Sequence, residues 1–380
     1  MAHNEACNNG HPTAHPGSHG SGHEFRPRMV FWELTTACNL KCVHCRACPV
    51  DQRSPEDLTT AEAKNLLDQL AEYPGLAVVL SGGEPLARPD TLEIAEYGTS
   101  KGLRMLLATN GTLVTEELAR KFVEVGIRRV SVSIDASNAA SHDAFRQLPG
   151  AFEAAWRGVE HIKAAGLQFQ INTTITKHNV HEISDILKLA VDRGAVALHL
   201  FLLVPTGCGK EIADDEMITP DEYEKLLNWF YDQSKNFEIG LKATCAPHYF
   251  RIMHQRSRAE GNTAMPVTHG PDIPTKGCLA GSAVCFVSHK GEFYPCGYLP
   301  VSAGNIRQMP FKEIWENAEV FNVLRDEDNL QGKCGYCGYR KMCMGCRARA
   351  YGYTGNYLAP EPYCVYEPKA PVRKEERTDG

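Results

Sequence analysis

"MVFWELTTACNLKCVHCRACP", residues 29–49, runs from an apolar strand-like segment straight into four cysteines, Cys38, Cys42, Cys45 and Cys48. Two patterns overlap there. Cys38, Cys42 and Cys45 spell C-x3-C-x2-C, whereas Cys42, Cys45 and Cys48, followed by Pro49, spell most of a ferredoxin-type run. The ferredoxin pattern needs a further cysteine after three more residues, and that position is Gln52. It therefore fails. Three soft thiolates from one short loop suit three corners of a [4Fe-4S] cube, with the fourth iron left open.

Outward from this loop the chain alternates. The strand-like stretches "MVFWEL", "LAVVLSG", "LRMLLATN", "RRVSVSID", "QFQINTTIT" and "ALHLFLLVP" are separated by helical patterns at 60–73, 115–126, 151–165 and 180–193. Such alternation with buried strands implies a parallel sheet covered by helices. Six units occupy residues 29–204, or 176 residues. A closed eight-unit barrel takes about 250 residues, roughly 31 per unit, so this length holds between five and six. The expected fold is α/β, an open partial (β/α)6 TIM-like barrel with its active site at the C-terminal ends of the strands. The cysteine loop then lies at the barrel mouth. A structural zinc site is the plainer alternative, but such sites are closed and tetrahedral and have no reason to sit beside an open cavity.

The rest of the composition narrows the class. The 380 residues are 43% hydrophobic and 23% charged, as in a globular protein, and no apolar run is long enough to span a membrane. The N-terminus lacks an apolar signal segment, so a cytoplasmic protein is expected. A net charge of −6 without a basic stripe argues against nucleic acid as a partner. Fifteen cysteines in a reducing compartment read as metal ligands rather than a disulfide framework. Residues 1–25, with five histidines (His3, His11, His15, His19, His23) and Cys7, read as a disordered, solvated tail. Residues 29–235 form the barrel and 236–277 a connecting segment. The cysteine-rich segment occupies 278–367, and 368–380 is a charged, mobile tail. Eight cysteines lie in that segment: Cys278, Cys285, Cys296, Cys334, Cys337, Cys343, Cys346 and Cys364. Eight thiolates match two fully ligated cubes, while two zinc ribbons are the competing reading.

The C-x3-C-x2-C loop after a first strand resembles that of the radical S-adenosylmethionine (SAM) enzymes. "SGGEPL", "TNG", "SVSID", "HDAFR" and "FLLVP" resemble that family's motifs on successive strands. The resemblance implies that Cys38, Cys42 and Cys45 hold the cluster, leaving Cys48 a bystander thiol. It further implies that SAM is met by His44, Gly82, Gly83, Glu84, Asn110, Ser133, Asp135, Arg146 and Leu203. Within that set Gly82, Gly83 and Glu84 would meet the methionyl amino group, Ser133 and Asp135 the ribose, and Arg146 the carboxylate. Leu203 would pack on the adenine.

Cys278, "GEFYPC" and "CGYCGYRKMCMGC" are similar to the SPASM extension of the same family, although the last spacer is one residue short. Carried over by position, one auxiliary [4Fe-4S] cluster takes Cys278, Cys285, Cys296 and Cys346, and a second takes Cys334, Cys337, Cys343 and Cys364. Three clusters and SAM are thus the implied cofactors.

"ELTTACNLKCVHCRA", "LFLLVPTGCGK", "LKATCAPHYFRI" and "GNYLAPEPYC" resemble the heme-forming branch of the family. That branch oxidatively decarboxylates two propionates of iron-coproporphyrin III to vinyl groups, fed by an external low-potential electron donor. A tetra-anionic porphyrin calls for cationic contacts, and Lys242, Arg251, Arg256 and Arg258, together with Lys210 and Arg347 or Arg349, are candidates, with Cys245 or His248 near the iron. A tetrapyrrole deacetylase, a peptide-modifying enzyme and a zinc-binding module are the alternative functions.

Overall fold

The computed structural model describes residues 25–261 and 276–369. The N-terminal histidines with Cys7, most of the 262–277 linker and the end of the charged tail lie outside the described residues.

The sequence pattern predicts six strand–helix units, and all six form. Their strands are β1 (Met29–Glu33), β2 (Ala77–Ser81), β3 (Arg104–Thr109), β4 (Val130–Ser133), β5 (Phe169–Ile175) and β6 (Ala197–Leu202). A seventh, β7 (Gly240–Thr244), pairs parallel with β6, so the expected connecting segment carries the barrel one strand further. The cysteine-rich segment supplies β8 (Val284–Val287), β9 (Glu292–Tyr294) and β10 (Gly304–Asn305). The strand order is β10-β9-β8-β1-β2-β3-β4-β5-β6-β7, with β7 and β10 as the two edges, so the sheet stays open.

β8 runs parallel to β1 and pairs Cys285 with Val30. β1 is therefore an interior strand, flanked by β2 and by a strand from some 250 positions later in the chain. Burial on both sides explains its apolar run, with Val30 and Trp32 fully buried. On β4 the period of two is visible: Val130 and Val132 are buried, whereas Ser131 and Ser133 are half-buried. The covering helices start on legible signals. Thr59 with Glu62 and Thr219 with Glu222 form capping boxes, and Pro220 opens the second of these helices.

The hydrophobic core does not stop at the end of the barrel. One contiguous cluster joins Val30, Trp32 and Leu66 to Phe293, Phe311, Trp315 and Phe321. The C-terminal segment is thus packed on the barrel rather than hung from it. Truncating a buried aromatic of this kind to alanine costs about 3–5 kcal/mol, and several are shared across the junction. A chain ended after residue 261 is expected to aggregate or to lack a cooperative melt by circular dichroism. The full chain is expected to unfold in one transition.

Candidate active site and metal centres

The cysteine loop leaves β1 and is clamped from both sides. Glu33, the last residue of β1, accepts Arg46 Nη2 at 2.9 Å and contacts His289 Nδ1 at 2.7 Å. Burial works to raise the Glu33 pKa, but Arg46 and His289 hold it below the usual carboxylate range. The Arg46 guanidinium also lies 4.3 Å over the Phe286 ring of β8. Each of the three expected ligands has a donor on its sulfur. Leu40 N–H reaches Cys38 at 3.4 Å, Ala47 N–H reaches Cys45 at 3.4 Å and Arg146 Nη1 reaches Cys42 at 3.6 Å. Donors and a cation directed at three sulfurs suit thiolates, which is the form in which cysteine binds metal.

The Gly82–Gly83–Glu84 turn closes over the start of this loop. Gly83 N–H donates to the Thr35 carbonyl and Glu84 N–H to the Ala37 carbonyl, both at 2.8 Å. A Cβ on Gly82 would sit 2.6 Å from the Thr35 oxygen, and one on Gly83 2.4 Å from the Ala37 oxygen. The two glycines are thus required by the loop backbone itself, a reason distinct from the close approach to a ligand expected from the motif. The Glu84 carboxylate is fully buried and accepts from Leu86 N–H at 3.2 Å, Thr109 Oγ1 at 2.8 Å and Asn110 N–H at 2.8 Å. Burial pushes its pKa up to about 7, against these hydrogen bonds. Asn110 passes the link on, donating to Asn39 Oδ1 at 2.9 Å and lying 3.9 Å from Cys38 Sγ.

On the next strands, Asp135 is buried between Arg146, with which it forms an ion pair, and the Thr174 N–H at 2.7 Å. Burial opposes ionisation of Asp135, but Arg146 holds its pKa below the usual range. His44 lies 3.8 Å from Asp135 and stacks on Phe145 at 4.2 Å. Burial lowers the His44 pKa to about 3, so the ring is neutral. Arg146 Nε and His44 Nδ1 are buried without a partner among the described residues. Ser133 stands half-buried at the end of β4, and Leu203 is buried against Ala213 and Met217.

Cys48 is not a bystander. It forms a disulfide with Cys208, 160 positions away on the loop after β6. The two loops interlock: Cys208 N–H donates to the Cys45 carbonyl at 2.9 Å, and a Cβ on Gly207 would lie 2.1 Å from the Arg46 oxygen. Closing a loop of that size restricts the unfolded chain by about 5 kcal/mol in the chain-entropy picture.

The C-terminal cysteines divide into two groups, with one exchange relative to expectation. Cys334, Cys337, Cys343 and Cys364 line a single void together with His248 and Arg251. Backbone N–H groups of Glu361, Tyr339 and Gly345 reach the sulfurs of Cys334, Cys337 and Cys343, each at 3.4 Å. Cys346 turns away to the other group, despite the short spacer. Met344 and Gly345 both adopt left-handed conformations, φ 64° and 62°, and swing the chain between the two cysteines. The second group is Cys278, Cys296, Cys346 and Cys245, whose buried thiols act on one another electrostatically.

Cys285, expected in that set, is elsewhere. It is fully buried on β8, whose neighbouring Phe286 faces Arg46, so strand alternation turns Cys285 into the core. Cys245 comes in because the turn after β7 crosses the chain at Gly277. A Cβ on Gly277 would meet the Cys343 oxygen at 2.4 Å and Pro247 Cβ at 2.7 Å. Cys245 itself is left-handed at φ 58°. A cysteine in "ATCAP", at the C-terminal end of a strand as Cys38 is, was the available signal.

Most of the expected porphyrin contacts are also redirected. Cys245 belongs to the thiol group, and His248 and Arg251 face the other cysteines. Arg251 is paired with Glu224 at 2.5 Å. Arg347 and Arg349 are fully buried; Arg347 donates to the carbonyls of Tyr357 and Ala359, and Arg349 to those of Leu202 and Leu203. Lys210, on the loop after β6 at the barrel mouth, is exposed, as are Lys242 on β7 and Arg258, whereas Arg256 is paired with Asp232 at 2.5 Å.

Glu84→Ala is expected to leave three buried donors unpaired and to cost about 3 kcal/mol or more of stability. Chemical denaturation measures this, and Glu84→Gln, which keeps an acceptor, should lose less.

The chain matches the Radical SAM superfamily over residues 32–190 and the SPASM iron–sulfur cluster-binding domain over 278–346. It is 56% identical over 342 residues to an AdoMet-dependent heme synthase of Methanosarcina barkeri, covering 90% of this chain and 97% of that one. A heme synthase of Nitratidesulfovibrio vulgaris is 47% identical over 359 residues, covering 94% and 98%. The fold superposes on SuiB of Streptococcus suis bound to S-adenosylmethionine with a TM-score of 0.71 at 14% identity, over 90% of this chain and 78% of that one. Among the described residues no helix is long and apolar enough to cross a membrane. The chain belongs to the radical SAM enzymes and ends in an iron–sulfur-binding segment of the SPASM type.

Proposed function

We propose that this enzyme oxidatively decarboxylates two propionates of iron-coproporphyrin III to vinyl groups, giving heme b. The near-full-length likeness to the two heme synthases carries this reading, supported by three cysteine groups that suit clusters. Cys38, Cys42 and Cys45 would hold the cluster that serves SAM. Cys245, Cys278, Cys296 and Cys346 hold a second cluster, and Cys334, Cys337, Cys343 and Cys364 a third. When bound, the first cluster and SAM supply the 5′-deoxyadenosyl radical that removes a propionate β-hydrogen, after which carbon dioxide and one electron leave.

The chain's own part is positioning and charge. Leu40 N–H, Ala47 N–H and Arg146 Nη1 offset thiolate charge at the three sulfurs. Arg146 Nε and His44 Nδ1 are buried polar atoms left for a bound SAM. Asp135 keeps Arg146 charged and aimed at Cys42, while Glu84 and Asn110 hold the loop against β3. Lys210, exposed beside the mouth, serves one substrate carboxylate. The three cysteine groups would hold clusters that, when bound, would take an electron from an external low-potential donor at the barrel mouth and accept the substrate's electron in the C-terminal segment.

Reduced enzyme with SAM and iron-coproporphyrin III is expected to give two successive losses of carbon dioxide and two hydrogens by mass spectrometry. Absence of both losses overturns the reading, and removal of acetate-derived groups from a precursor tetrapyrrole would favour the deacetylase instead. Cys38→Ala is expected to abolish SAM cleavage. Iron analysis of the wild type should approach about twelve atoms per chain, from three four-iron clusters. Cys285→Ala should retain that content, whereas Cys245→Ala should lower it.

A further inference from the structure

His248 is the first residue of the helix His248–Ala259 and only 1% exposed. Its ring is fixed edge-on against Tyr223 at 5.2 Å and 81°, and the Tyr223 hydroxyl is itself tied to the Cys245 carbonyl at 2.8 Å. Neither Nδ1 nor Nε2 has a hydrogen-bond partner among the described residues. A neutral imidazole always carries one N–H, and a buried donor without an acceptor costs about 1–3 kcal/mol. One helical turn on, Arg251 Nε is likewise buried and unpartnered. Both residues line the void enclosed by Cys334, Cys337, Cys343 and Cys364.

Arg340, also on the lining, has a buried Nε without a partner among the described residues, whereas Glu361 and the ends of Arg251 are committed. Glu361 accepts from Cys346 N–H at 2.7 Å and Tyr363 N–H at 3.1 Å, and pairs with Arg349 at 3.4 Å. The terminal nitrogens of Arg251 go to Gln255 at 2.8 Å and Glu224 at 2.5 Å. Three residues with unsatisfied buried nitrogens, His248, Arg251 and Arg340, therefore line a space walled by four thiols, and an acceptor is missing there. The sulfurs of an anionic iron–sulfur cluster are acceptors of the right kind.

We propose that His248 donates a ring N–H to a sulfur of the cluster held by Cys334, Cys337, Cys343 and Cys364, and so raises that cluster's reduction potential. This rests on the ligand assignment proposed above. Hydrogen bonds to cluster sulfurs stabilise the more negative, reduced form, and their number is one of the levers that set the potential. The backbone N–H groups at Cys334, Cys337 and Cys343 act in the same sense, and His248 adds a side-chain contribution. Raising the potential here makes this cluster the better sink for an electron released at the barrel mouth. His248 is a tuning residue that touches the cluster, not the porphyrin iron.

The test uses the full chain with Cys38, Cys42 and Cys45 replaced by alanine, so that only the two C-terminal clusters contribute to the spectra. In this background His248→Leu and His248→Gln are compared with His248 by iron content and by electron paramagnetic resonance during redox titration. His248→Leu is expected to keep the iron content but shift one of the two midpoints to lower potential, and His248→Gln, which restores an N–H, to recover part of the shift. Full iron with both midpoints unchanged in His248→Leu overturns the proposal and leaves the cluster assignment standing. Loss of about four irons in both variants also overturns it, since His248 would then be needed to hold the cluster rather than to tune it. A parent with no C-terminal cluster signal would instead refute the ligand assignment itself.

Discussion

Glu33 is a buried carboxylate at the point where β1 becomes the cysteine loop, and it has one partner on each side. Arg46 reaches it from the loop and His289 from the segment after β8. A buried carboxylate stripped of its partners is costly, of order 3–5 kcal/mol, so the three segments are held as a unit. The pairing of β8 with β1 makes that possible, because it delivers His289 and Phe286 to the mouth of the barrel. The loop that carries the three cysteines is therefore positioned from the C-terminal segment as much as from the barrel.

The same economy of space recurs at the glycine contacts. Gly82 and Gly83 let the β2 turn pair with Thr35–Ala37, Gly207 admits the Arg46 carbonyl, and Gly277 lets three segments cross beside Cys245. At each crossing a side chain would occupy the volume of a neighbouring backbone atom. These approaches bring Cys45 next to the loop of Cys208, and Cys245 next to Cys346. The grouping of Cys245 with Cys346, and of Cys48 with Cys208, is a consequence of backbone crossings, not of spacing within one motif.

Buried charge is used in the same way. Arg349 ties the C-terminal helix Arg347–Thr354 to the end of β6, and Arg146 joins Asp135 to Cys42. Arginines that look available for substrate carboxylates in the sequence are thus spent inside the protein, where five donors can satisfy several carbonyls at once. The cationic residues left exposed among those candidates are Lys210, Lys242 and Arg258.

The sequence by itself determined the six strands, their parallel arrangement, the cysteine loop at the end of β1 and the family. Each of these rests on local chemistry: apolar period, capping residues and the spacing of thiols within one short loop. Tertiary structure alone decided that β8 joins β1, that Cys285 is a core residue and that Cys245 stands beside Cys346. It also decided that Cys48 meets Cys208 across 160 positions. Strand alternation in β8 is ambiguous until its partner is known, because a face is inside or outside only relative to a neighbour. A cysteine's partners depend on which backbones can approach within a few ångströms, and that is a property of the packed chain.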